Sequence, residues 1–131
     1  MKILVSYDDR SHPPVLRLTV HDAPHRRVHI EVIRSYRDAL RMAFRREGIH
    51  FPIEDPIDLE VTFINPTTPD LGNAYLALEQ AMDGTTLTGP GIVTDDSLIS
   101  SVKMQKLFIN QKKPAVQPVN LPRFVHLQAV A

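Results

Sequence analysis

The chain has 131 residues, 43% of them apolar and 23% charged, with a net charge of zero and no cysteine. That length makes one domain able to bury a core, and the lack of cysteine excludes disulfides, thiolate zinc sites, thiol nucleophiles and iron–sulfur clusters together. No apolar run approaches the roughly 20 residues of a membrane span, and the N-terminus turns acidic too soon for a secretory segment, so a soluble, cytoplasmic protein with no membrane partner is expected.

The neutral sum conceals a segregation of charge. Residues 1–46 hold ten basic and five acidic side chains, residues 47–96 hold none and ten, and residues 97–131 hold five and none. An acidic middle between basic arms suits a carboxylate pocket for divalent cations with cationic walls for phosphate. Acidic residues collected in loops and first helical turns produce the same count, so charge alone leaves both readings open.

In chain order, residues 2–7 and 15–20 are β-favouring runs separated by turn chemistry at 8–14, and read as an opening hairpin. Across 28–46, Ile30, Ile33, Tyr36, Leu40, Ala43 and Phe44 recur at threes and fours, and Arg34, Arg37, Arg41 and Arg45 follow a spacing of their own, which predicts an amphipathic helix bearing an arginine stripe. Gly48 marks its stop. The clearest strand is 57–64, where Ile57, Leu59, Val61 and Phe63 alternate with Asp58, Glu60 and Thr62. A second helix follows, capped by Thr68 with Pro69 at its first position and ended by Gly84, with Leu71, Ala74, Tyr75, Leu78, Ala81 and Met82 on one face. Residues 92–109 read as one long or broken strand, 110–122 as an exposed loop and 123–130 as a final edge strand. The order β-β-α-β-α-β-β predicts an α+β domain over 1–131, a small mixed and largely antiparallel sheet with two helices packed on it.

The chain lacks a GxSxG elbow, a GxxxxGK phosphate loop and a GxGxxG turn, which removes the mechanical parts of serine hydrolases, nucleoside triphosphatases and dinucleotide enzymes, so no small-molecule cofactor is implied. His21, His25 and His29 have helical spacing, but Pro24 interrupts it, and solvated surface histidines are the better reading. The remaining chemistry lies in carboxylates where elements begin or end: Glu60, Asp70, Glu79, Asp83, Asp95 and Asp96. Metal-assisted phosphodiester hydrolysis needs two or more hard oxygen ligands held a few ångström apart. Taken singly, Asp70 also suits a helix dipole, and Asp95 and Asp96 suit a turn.

Three segments occur in a telling order: PDLGN (69–73) opening a helix, QAMDG (80–84) ending it, and IVTDDSLIS (92–100) leading into a strand. With Tyr36 and Arg37 early in the first helix, this resembles the RusA family of Holliday-junction resolvases, whose pattern is similar to PDLDN, DALNG and DDSQV. The likeness spans about residues 15–110, and the 26-residue step from Asp70 to Asp96 is part of it. The resemblance implies a RusA-like fold and a small homodimeric, Mg²⁺-dependent endonuclease, with Mn²⁺ as a substitute ion, that cuts branched four-way DNA symmetrically. Carried over by position, Asp70 and Asp96 become metal ligands. The chain departs from the pattern at Gly72, which replaces the second aspartate, at Gln80, which replaces a late-helix aspartate, at Leu76, which replaces an exposed lysine, and across the uncharged residues 65–69.

An active site then needs Glu60, Asp95, Glu79 or Asp83 to compensate for Gly72, with Glu60 and Asp95 ranked first, or works with fewer ligands. The expected catalytic set is Asp70, Asp96 and Asp95, and the expected metal set is Asp70, Asp96 and Glu60. Arg34, Arg37, Arg41 and Arg45, with Lys103, Lys106, Lys112 and Lys113, are expected to grip DNA phosphates. Two rivals stand beside the enzyme: a catalytically inactive junction-binding or regulatory protein, and an assembly module whose basic and acidic segments pair between subunits.

Overall fold

A computed structural model describes residues 1–23, 30–66, 71–85 and 90–109. The chain forms β1 (Lys2–Asp8), β2 (Val15–His21), α1 (Ile30–Glu47), β3 (Ile57–Ile64), α2 (Leu71–Met82), a single 3₁₀ turn (Asp96–Leu98) and β4 (Ile99–Leu107). The four strands make one mixed sheet in the order β1-β2-β3-β4, and the fold is α+β with two helices. No helix among the described residues is long and apolar enough to cross a membrane.

The expectation of a largely antiparallel sheet is corrected here. Among the described strands only β1 and β2 pair antiparallel, whereas β2 with β3 and β3 with β4 are parallel. The physical reason lies in the connections. A short turn joins β1 to β2 and reverses the chain, but α1 and α2 stand in the next two connections, and a helix-bearing crossover returns the chain to the same end of the sheet. The expected 92–109 strand is also split. Val93 makes isolated bridges to Ile53 and Asp83, and the ladder begins only at Ile99 after the 3₁₀ turn. The predicted edge strand at 123–130, the loop at 110–122, the Thr68 cap and Pro69 lie outside the described residues.

Strand alternation divides the sheet into two chemically different faces. The row Val5–Leu18–Val61–Met104 and the row Ile3–Val20–Phe63 turn towards the helices. They meet Ile33, Tyr36, Leu40 and Phe44 of α1 and Ala74, Leu78 and Ala81 of α2 in one core. Each fully buried Leu, Val or Phe contributes about 1.5–3 kcal/mol relative to exposure. The other face carries the row Ser6–Arg17–Glu60–Lys103 and the row Leu4–Thr19–Thr62–Gln105.

The end of α1 follows from one residue. Gly48 takes φ +69°, a left-handed conformation that a Cβ disfavours. It allows the Ile49 N–H to reach the Phe44 carbonyl at 2.9 Å and the Gly48 N–H to reach the Arg45 carbonyl at 3.1 Å. Two orphan carbonyls of the last turn are satisfied in this Schellman pairing.

Candidate active site

The site is built on α2 and the chain that returns beside it. Leu71, Ala74, Ala77, Leu78, Ala81 and Met82 bury one face of the helix. The outer side carries Gly72, Tyr75 and Glu79. Gly72 and Glu79 are seven residues apart, which at 100° per residue leaves them about 20° apart around the axis and about 10 Å apart along it.

After Met82 the chain turns out and comes back onto its own stem. Ile92 and Val93 both donate to the Met82 carbonyl, at 2.9 and 3.0 Å, and Gly84 donates to the Val93 carbonyl at 2.9 Å. Two glycines permit this approach. A Cβ on Gly91 would lie 2.6 Å from the Gly84 Cα and nitrogen and from the Met82 carbonyl oxygen, and a Cβ on Gly84 would lie 2.9 Å from the Thr94 oxygen. Ile53 ties the stem to the preceding loop by donating to the Ile92 carbonyl at 2.7 Å and accepting from Thr94 at 3.1 Å.

The stem delivers Asp95 and Asp96 to the outer side of α2. Asp95 caps the 3₁₀ turn, its carboxylate accepting from the Ser97 N–H at 2.9 Å. That hydrogen bond holds the Asp95 carboxyl below the usual carboxylate range. Asp96 shifts the other way. Partial desolvation raises its pKa, and the negative charges of Asp83 and Asp95 raise it further. Glu79 is also raised, first by burial and then by the field of Asp96, against the opposing hydrogen bond from the Tyr75 hydroxyl at 3.3 Å. The same negative field, added to burial, raises Tyr75. Asp83 is 8% exposed, and its Oδ1 accepts from both the N–H and the hydroxyl of Thr85 at 2.9 Å. The charge of Asp96 thus reaches Glu79, and that of Asp83 reaches both.

The arginines of α1 brace this region from the inside. Arg37 is 2% exposed, its Nε donates to the Ala81 carbonyl at 2.7 Å, and its Nη2 donates to the Asp83 carbonyl. Burial and the neighbouring Arg41 lower the Arg37 pKa, and Asp83 offsets them. Arg41 Nε donates to the Pro90 carbonyl at 3.2 Å.

Several expectations are revised by this geometry. Asp96 opens the 3₁₀ turn beside α2, and Asp95 is occupied as its cap. Glu60 lies on the sheet face turned away from the helices, where Arg17 Nε donates to its Oε1 at 2.9 Å, and it is not among the charges acting on Asp96. Of the carboxylates ranked lower from sequence, Asp83 acts on Asp96 alongside Asp95, and Glu79 feels the charge of Asp96. The signal was present in the helical spacing of 72, 79 and 83. Arg37 leaves the phosphate-gripping set, because its guanidinium is buried against backbone carbonyls. Arg34 and Arg45 are exposed on α1, with Arg45 over the Phe51 ring at 5.7 Å. Lys103 and Lys106 point to opposite sheet faces, in register with Glu60 and Phe63 respectively. The cationic residues thus do not form one surface. Asp70, His25, His29, Lys112 and Lys113 lie outside the described residues.

Carboxylate oxygens are the right chemistry for Mg²⁺ or Mn²⁺. Among the described residues, however, no group of three Asp, Glu or His side chains is arranged to hold an ion, so a cation at Asp96 needs a ligand from beyond them. No protein-family model, curated protein or solved structure matches the chain.

Proposed function

We propose that the chain is a divergent RusA-like, structure-selective DNA endonuclease that resolves four-way junctions as a homodimer. One observation carries this reading: the 3₁₀ turn that Asp96 opens packs against α2, and the charge of Asp96 reaches Glu79, on the same side of the helix as Gly72. That proximity supports reading the two motifs as parts of one site. Asp70 and Asp96 are the proposed ligands for Mg²⁺, which when bound supplies a polarised phosphate and an activated water. Glu79 and Asp83 set the negative field at that position, Asp95 holds the turn that presents Asp96, and Arg34, Arg41 and Arg45 supply cationic contacts to the DNA backbone. Two copies supply the two cuts that symmetric resolution requires.

The test is cleavage of a labelled four-way junction, with linear duplex as control, in Mg²⁺, Mn²⁺ and EDTA, for wild type, Asp70→Asn and Asp96→Asn. Paired, metal-dependent nicks in the wild type that vanish in both variants support the enzyme. Equal activity in Asp96→Asn defeats the assignment of the site.

A second reading, a junction-binding protein that no longer cuts, is favoured by a different observation. Position 72 is exposed on the outer side of α2 and carries no carboxylate. This reading predicts a salt-sensitive junction shift in EDTA without cleavage, and a gain of cutting in Gly72→Asp.

A further inference from the structure

We propose that the outer edge of β4 is the docking site of this chain's own segment 123–130, which adds to the sheet as a further strand. The inference is independent of the nuclease reading and does not fall with it.

An edge strand turns alternate N–H and C=O groups away from the sheet, where they must be blocked or partnered. The two edges of this sheet differ in that respect. At β1, Arg46 Nη2 donates to the Ile3 carbonyl at 2.9 Å, so a side chain of α1 already occupies part of the edge. β4 pairs only with β3 among the described strands, and its residues Ser100, Ser101, Val102 and Lys103 are exposed. Val102 is 37% exposed although it lies on the helix side, in register with the buried Leu59. On the other side, Gln105 Nε2 donates to Thr62 Oγ1 at 3.1 Å, while its buried Oε1 has no donor among the described residues. The edge therefore lacks an apolar neighbour on one side and a hydrogen-bond donor on the other.

The chain itself supplies both. Asn65 fixes the exit of β4, donating to the Leu107 carbonyl at 2.8 Å and accepting from the Ile109 N–H at 2.9 Å, and residues 110–131 continue from that point. Pro114, Pro118 and Pro122 interrupt the first part and no proline follows, so 123–130 keeps every backbone donor. Within it Val125, Leu127 and Ala129 alternate with His126 and Gln128, the pattern of a strand with one apolar side. Laid along β4, the apolar side continues the row of Val102 and Met104, and the polar side brings the N–H donors of His126 or Gln128 to Gln105. Residues 110–122 extend to about 40 Å, more than the roughly 30 Å length of β4, so the segment reaches its whole edge. Charge selects this occupant over a second copy's β4. Lys103 and Lys106 are the charges of β4, both positive, and pairing two such strands gathers like charges, whereas 124–130 contains no Lys, Arg, Asp or Glu.

The experiment is hydrogen exchange and methyl NMR on the full chain, as wild type and as Leu127→Lys. An unpaired edge strand protects only alternate amides, and an added strand protects both sets. The expected result is protection of consecutive amides from Val102 to Lys106 and methyl contacts from Val102 to Val125 or Leu127. In Leu127→Lys the outward set alone loses about tenfold or more of its protection, because the burial of one leucine is lost. Rapid exchange of every second β4 amide in the wild type overturns the proposal, and that measurement decides by itself if the variant does not fold. Unchanged protection in a folded Leu127→Lys also overturns it. Protection that falls on dilution, with Val102 contacts arising only between differently labelled copies, gives the edge to a second copy and overturns the assignment to the chain's own segment.

Discussion

Replacing Gly91 by alanine tests the closed stem directly. The new methyl group would meet three backbone atoms, the Gly84 Cα and nitrogen and the Met82 oxygen, each at 2.6 Å. Ordinary carbon contacts lie near 3.5–4.0 Å, so one side of the stem must retreat by about 1 Å. None of the three atoms is the end of a flexible side chain, so the retreat stretches the bonds from Ile92 and Val93 to Met82 and from Gly84 to Val93. Overpacking of this kind costs about 1–3 kcal/mol, and weakening two or three backbone hydrogen bonds adds about 1 kcal/mol each. The sum, about 3–6 kcal/mol, is a large share of a typical total stability of 5–15 kcal/mol. Gly48→Ala is the internal control, because nothing lies within 4 Å of its Cβ and only the φ of +69° opposes it, a cost of about 1 kcal/mol. Urea unfolding of both variants at equal m-value gives the comparison. A Gly91→Ala protein as stable as Gly48→Ala would refute the packing argument for the stem.

Three further outcomes are expected. Tyr36 is 1% exposed, its hydroxyl has no hydrogen-bond partner among the described residues, and burial raises its pKa to about 12; Tyr36→Phe removes that buried hydroxyl and should be neutral or stabilising by up to about 1–2 kcal/mol in thermal unfolding, so a clear loss of stability contradicts it. Glu79 and Asp96 have raised pKa values in the folded state, so the native protein binds more protons than the unfolded chain above the ordinary carboxylate range near pH 4, and stability falls as pH rises through that window; Glu79→Gln should flatten that decline in a Tm–pH series, and an unchanged slope counts against the crowding of these carboxylates. Glu60→Gln disrupts an exposed ion pair with Arg17 on the far side of the sheet, worth at most about 1 kcal/mol, and should leave metal-dependent cutting at the wild-type rate, whereas a loss comparable to Asp96→Asn would return Glu60 to the site.

The elements were legible because their periodicities are strong. The three-and-four spacing of Ile33, Tyr36, Leu40 and Phe44 and the alternation from Ile57 to Phe63 both report burial, and the structure buries those residues. Strand direction was misjudged even though the β-α-β-α-β order after the hairpin was visible, because the composition of a strand says little about its partner while the connection decides it. The arginine stripe misled for a related reason. Helical spacing shows that Arg34, Arg37, Arg41 and Arg45 lie near one another, and cannot show that the end of α2 stands over Arg37 and removes it from solvent. The carboxylates were found by type, but their grouping depends on which sheet face each occupies. Glu60 and Phe63 differ by an odd number of positions on one strand, and that parity alone sends Glu60 away from α2.

The long reach of Arg37 has a consequence for how the chain acquires its fold. Two of its acceptors lie 44 and 46 residues further along, so α1 carries a buried charge whose hydrogen bonds to the end of α2 cannot form until residues 81 and 83 have been made. A fragment ending after β3 has the hairpin, α1 and the third strand, yet it leaves that guanidinium without the carbonyls of Ala81 and Asp83 and the outer edge of β3 without β4. Docking of α1 against α2 and addition of the last strand are therefore late events that complete one another, and a ribosome-bound or truncated half-chain has reason to stay open and sticky until both have arrived.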